Sequence, residues 1–152
     1  MGQPVKWSAA AYAGIAAGIG ATIIEIVLWS AFTDALPGVF FRDARFAAAI
    51  VMGPGVLSRA AGFDWWVLLV ATLVHFALSV AYGLILSQLI WRLSMPASLL
   101  AGAAFGLFVF ALNMYGFTTV FPWFEATRDW IAVAAHLVFG IVAAGVYKLL
   151  AR

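Results

Sequence analysis

Four long apolar runs, separated by short polar stretches, divide this chain. The first extends from Trp7 to Phe32 and holds one charge, Glu25. The second opens at Asp64-Trp65-Trp66 and has no charged residue from Trp65 to Ser87, with His75 well inside it. Two more runs follow the tight turn Arg92-Leu93-Ser94-Met95-Pro96, separated by Phe121-Pro122-Trp123-Phe124-Glu125. A helix rises 1.5 Å per residue, so about 20 apolar residues cross a hydrocarbon core. The pattern predicts transmembrane helices at about 7–32, 64–91, 97–120 and 127–150. Asp64 is placed as the N-cap of the second and Pro96 at the start of the third. Between the first two, 41–52 reads as a helix too short to span. It is charged at Arg42, Asp43 and Arg45, and Gly53-Pro54-Gly55 ends it. Such a segment lies in the interface or re-enters the membrane. The expected fold is therefore all-α: an antiparallel bundle of four transmembrane helices, plus a short interfacial helix in the first outer loop, as one domain over 1–152.

Composition strengthens this reading. Of 152 residues, 66% are hydrophobic and 9% charged, against about 25% charged in soluble domains. The run from Trp7 is longer than a signal peptide's apolar region and contains Glu25, so it is expected to be a retained helix. No basic cluster suggests nucleic acid. The absence of cysteine excludes disulfides, iron–sulfur clusters, thiolate metal sites and covalent c-type haem. No nucleophile–base pair or phosphate-binding loop is present, because the glycines from Gly14 to Gly20 fall inside an apolar helix. Lys6, Arg92, Lys148 and Arg152 flank the runs on the side of both termini, with no acid among them. Arg42, Arg45, Arg59 and Arg128 share the other side with Asp34, Asp43, Asp64, Glu125 and Asp129. The positive-inside rule then puts both termini in the cytoplasm, with a bacterial inner membrane as the expected location.

The halves resemble one another. Ala13-Gly14-x-Ala16-x-Gly18 matches Ala101-Gly102-x-Ala104-x-Gly106, and at the same offset Glu25 falls on Asn113. His75 follows Trp65 by ten residues and His136 follows Trp130 by six, and each histidine is followed four residues later by Ser79 or Gly140. Both a duplicated two-helix unit and coincidence in an alanine-rich sequence account for these matches. Gly14, Gly18, Gly102, Gly106 and Gly140 have the small-residue spacing that lets helices approach closely.

Helical spacing gathers the polar residues. Thr72, His75, Ser79 and Tyr82 form one stripe, Asp129, His136, Gly140 and Tyr147 another, and Glu25 and Asn113 fall on the glycine faces of their helices. Counted from the outer helix ends, Glu25, His75, Asn113 and His136 reach similar depths of roughly 10–15 Å. An outward-opening cavity, rimmed by Trp29, Phe117, Trp123 and Trp130, is expected there. Two imidazoles and a carboxylate, His75, His136 and Glu25, suit a transition metal ion, and two histidines on facing helices suit haem b. Asn113, Tyr82, Thr72 and Ser79 would support them. Copper(I) fits less well, with four methionines and Met114 expected off the face of Asn113. The leading expectation is a membrane protein holding a metal or haem between its helices, with electron transfer to a larger partner. An accessory or assembly subunit of a respiratory-type complex is the alternative, and a small, oligomeric proton or cation transporter is the third. A histidine or glutamate in a membrane helix can also be simple structural glue.

Overall fold

The computed structural model describes residues 5–58 and 62–152; Arg59 lies outside them. Helix α1 spans Trp7–Phe32, α2 Gly38–Met52, α3 Trp65–Ile90, α4 Met95–Ala111 and α5 Trp130–Leu150. The described residues are otherwise loops and short 3₁₀ or π turns, with no strand. Four helices are long and apolar enough to cross a membrane: α1, α3, the segment Met95–Thr119 that begins with α4, and α5.

Local chemistry sets the ends. Asp64 accepts from Trp66 N at 3.1 Å and Val67 N at 3.2 Å, and Asp129 accepts from Ala132 N at 2.8 Å. Each satisfies amides that the first helical turn leaves without partners. Gly53, with φ +82°, stops α2, a conformation that costs glycine little. Arg45 then reaches back from buried α2 to Val56 O at 3.4 Å and Gly62 O at 3.2 Å. It ties the 3₁₀ turn Pro54–Ser58 and residue 62 to the helix, a duty its place among the outer charges did not reveal.

Four boundaries differ from expectation. The short helix starts at Gly38 rather than 41, directly behind Pro37. The third long helix starts at Met95, and its α-helical part ends at Ala111; a π turn, Leu112–Gly116, and a 3₁₀ turn, Phe117–Thr119, complete it. There the carbonyls acquire other donors. Arg128 Nε donates to Met114 O at 2.6 Å, and Thr118 Oγ1 to Tyr115 O at 3.1 Å. Such donors compete with the regular ladder. Helix α5 begins at Trp130, because Pro122–Thr127 winds as 3₁₀ before the Asp129 cap.

The core is inverted relative to a water-soluble protein. Ala10, Ala13, Ala17, Ala143 and Ala144 are buried, while Ile19, Ile23, Leu73, Leu100 and Phe108 point outward. Exposed apolar surface on this scale needs an apolar surrounding, and small residues let backbones meet. Gly14 and Gly18 meet Gly83, Ser79 and His75 of α3, in descending order as α1 ascends. Gly102 and Gly106 likewise meet Ala144, Gly140 and His136 of α5. One offset carries Gly14 to Gly102 and Gly18 to Gly106. A second carries His75, Ser79 and Gly83 to His136, Gly140 and Ala144. The two helix pairs therefore share an interface, residue for residue, which a chance likeness of composition does not require. Helix α1 also packs along α5, whereas α3 and α4 barely touch.

Candidate functional site

Where α3 and the segment after α4 stay apart, a cavity of about 350 Å³ opens between the long helices. Glu25 from α1, His75 from α3, Asn113 from the π turn and His136 from α5 all line it, joined by Ser79 and Tyr82. The remaining wall is apolar and aromatic, and includes Val74, Leu78, Val109, Phe117, Phe121, Phe124 and Phe139. Ala47 and Ile50 bring α2 to its edge. The glycine contacts of α1 with α3 lie beside it, at Ser79 and His75.

Not every residue of the expected stripe is there. Thr72 is exposed, and its hydroxyl donates to Leu68 O at 2.7 Å; satisfied within its own helix, it can face outward. Of the expected rim, Phe117 lines the cavity, but Trp29 is buried in packing, Trp130 stands edge-on to Phe32 and Trp123 donates to Phe46 O. Met114 does line the cavity, contrary to expectation. A π turn advances less per residue than an α turn, which brings neighbours Asn113 and Met114 to the same wall. Asp129 serves as a cap rather than a wall residue.

One hydrogen-bonded chain runs across the cavity. Tyr82 OH donates to Asn113 Oδ1 at 2.7 Å, and Asn113 Nδ2 donates to His136 Nε2 at 3.3 Å. His136 Nδ1 then donates to Ala132 O at 2.8 Å. Because Ala132 O can only accept, the proton sits on Nδ1, and Nε2 is the acceptor that Asn113 requires. Each of these three bonds joins a donor to an acceptor with a neutral imidazole. Phe110 stands edge-on against the ring. His75 differs. Its Nε2 lies 3.2 Å from Gly18 O and 3.5 Å from Thr22 Oγ1, so Nε2 carries the proton. Among the described residues none hydrogen-bonds or ion-pairs with Glu25.

These geometries bear on the metal and haem expectation. Among the described residues no three of His, Cys, Asp or Glu come together as a metal-binding group. The lone pair of His136 Nε2 is taken by Asn113, and His75 Nε2 points its proton at a backbone carbonyl. An imidazole ligand must offer a free nitrogen lone pair; neither Nε2 offers one in this arrangement, and the Nδ1 lone pair of His75 by itself does not make the two-histidine set that the metal or haem expectation needs.

Outside the long helices, Asp43 of α2 pairs with Arg42 at 2.7 Å. Burial pushes the Asp43 carboxyl above the usual carboxylate value of 3.8, and Asp129 adds to this, while the Arg42 hydrogen bond and charge partly oppose it. A carboxyl raised on folding binds its proton more tightly in the folded state, so stability falls as pH rises from 3.8 through the folded value. Asp43→Asn, which cannot titrate, is expected to flatten the melting-temperature profile in detergent as pH rises above 3.8. An unchanged slope would assign the titration elsewhere.

Comparison with protein-family models, curated proteins and solved structures finds no match for this chain. Its function is therefore argued from the site itself.

Proposed function

We propose that this chain is an integral membrane protein, an antiparallel four-helix bundle with α2 at the interface, whose cavity binds a small amphipathic molecule. The observation that carries this reading is the cavity's composition. One carboxylate and a few fixed polar groups converge in a mainly apolar wall of about 350 Å³. Small-molecule sites have that character and begin at about 300 Å³. An ionisable residue at such depth costs about 2.5–3.5 kcal/mol on insertion scales, so Glu25 needs a compensating role. It is placed to meet the ligand's polar end, while the aromatic side holds the apolar part.

The positive-inside rule supports cytoplasmic termini and an inner-membrane location. Of the opposing outer arginines, Arg45 and Arg128 are engaged with backbone carbonyls and Arg42 with Asp43. They serve local structure, which leaves Lys6, Arg92, Lys148 and Arg152 as the orienting charges.

The test is to purify the protein from membranes in mild detergent and extract whatever small molecule travels with it. Native mass spectrometry of wild type should show a bound mass that Glu25→Gln reduces roughly 2–10-fold, the scale of one hydrogen bond of about 0.5–1.5 kcal/mol. An absorption spectrum and elemental analysis accompany it. A Soret band or a stoichiometric metal, lost in His75→Ala or His136→Ala, would return the site to haem or metal. A ligand-free protein that is stable only with a co-purifying partner would favour the accessory-subunit reading.

A further inference from the structure

The ends of the long helices opposite the cavity carry a separate feature. An open basin of about 640 Å³ is walled by Lys6, Trp91, Arg92, Tyr147, Lys148 and Arg152, with Leu93, Ser94, Met95 and Ala151 completing it. We propose that this basin is a binding site for the headgroup of an anionic phospholipid.

Charge is the first support. Four cations face one basin, no acidic side chain lines it, and none of the four has an acidic partner among the described residues. Four like charges held together repel unless an anion joins them. The second support is that three of them, Lys6, Arg92 and Lys148, are held in place. Lys148 Nζ donates to Leu93 O at 2.7 Å and to Trp91 O at 3.3 Å, and Lys6 Nζ donates to Arg152 O at 2.8 Å. The Arg92 guanidinium lies over the Trp91 ring, 4.2 Å from its centroid. An ammonium has three donors, so each lysine retains at least one for a phosphate oxygen. Arg92 presents a planar fork suited to bidentate phosphate contact. The stacked Trp91 and Tyr147 suit the headgroup level, where amphipathic rings collect.

The flank identifies the source of the phosphate. Leu89, Leu93, Leu149 and Leu150 are exposed and apolar, and lie on the helix ends that frame the basin. A free phosphate has no use for such a flank, whereas a phospholipid lays its acyl chains along it. Basic pockets between helix ends of membrane proteins have this affinity for anionic headgroups. The basin shares no residue with the cavity, so its lipid is independent of the cavity's ligand.

The experiment adds phosphatidylglycerol or phosphatidylcholine, with identical acyl chains, to delipidated protein in mild detergent and counts bound lipid by native mass spectrometry. One phosphatidylglycerol should be retained in preference to phosphatidylcholine. Arg92→Gln should weaken that preference about fivefold, the effect of one surface cation. Among the described residues the Arg92 side chain makes no hydrogen bond, so this variant should keep its helical signal and melting temperature. Arg92→Lys should restore most of the preference. Equal retention of the two lipids, or a preference untouched by Arg92→Gln, would overturn the proposal. Displacement of the lipid by millimolar inorganic phosphate would overturn it in favour of a free-anion site.

Discussion

Gly140→Ala is expected to melt well below the wild type, by the equivalent of about 2 kcal/mol or more, although alanine is the better helix former. The expectation comes from setting two effects against each other. Replacing a glycine inside a helix by alanine ordinarily gains about 1 kcal/mol. Here the added methyl is directed at Gly102 O and Gly106 N of α4, the former closer than atoms can approach. Forcing extra volume into close packing costs about 1–3 kcal/mol and sometimes more. Backbone cannot rotate aside as a side chain can, so the cost belongs at or beyond the upper end and exceeds the propensity gain. Gly20→Ala supplies the control. Its methyl comes no closer than 3.6 Å, to Val142, and the substitution should be neutral or mildly stabilising. The check is thermal unfolding in mild detergent, followed by the helical circular-dichroism signal. If both variants melt alike, the α4–α5 contact does not hold the bundle together.

Asn113→Leu is expected to be the most damaging change within the cavity. Leucine fills similar space but leaves Tyr82 OH without its acceptor and His136 Nε2 without its donor. An unsatisfied buried polar group costs about 1–3 kcal/mol, while measured hydrogen bonds between membrane helices average nearer 0.6. A loss of about 1–3 kcal/mol for the pair lies between these scales. Tyr82→Phe should lose less, because Asn113 keeps its bond to His136. Combined, the two substitutions should fall short of additivity, since the phenol left stranded by leucine is then gone. Simple additivity in detergent unfolding would mean that the Tyr82–Asn113 bond does not contribute to stability.

Much of this arrangement is legible in the residue pattern. Spacing by four put Gly14 with Gly18 and Gly102 with Gly106, and those faces are where backbones meet. Counting turns set Glu25, His75, Asn113 and His136 at one depth, and all four line one cavity. The same counting failed after Ala111. It assumes a constant advance per residue, and the π turn Leu112–Gly116 breaks that assumption through donors supplied from elsewhere, Arg128 among them. Hence Met114 was misplaced. The tryptophans misled for a related reason. An aromatic near a helix end reads as interfacial, yet whether it covers a cavity, as Phe121 and Phe124 do, or stacks on a neighbour, as Trp130 does, depends on how chain segments cross. Thr72 shared the periodicity of His75 but had already spent its hydroxyl on its own helix. Polar spacing alone cannot separate a side chain reaching for a partner from one that has found it nearby.

The interior of alanine and glycine has a consequence for how easily the helices come together. Ordering a buried side chain ordinarily sacrifices rotamer freedom, up to about 2 kcal/mol for the longest, but nothing for glycine or alanine. The residues immobilised here, among them Ala10, Ala13, Ala17 and Ala144, had no rotamers to surrender. The residues with many conformations, such as Ile23, Leu73 and Leu100, face outward and keep them. Where alanine and glycine make the contact, assembly therefore surrenders little side-chain disorder, and the larger buried residues, Leu86, Ile90 and Val109 among them, carry most of the loss.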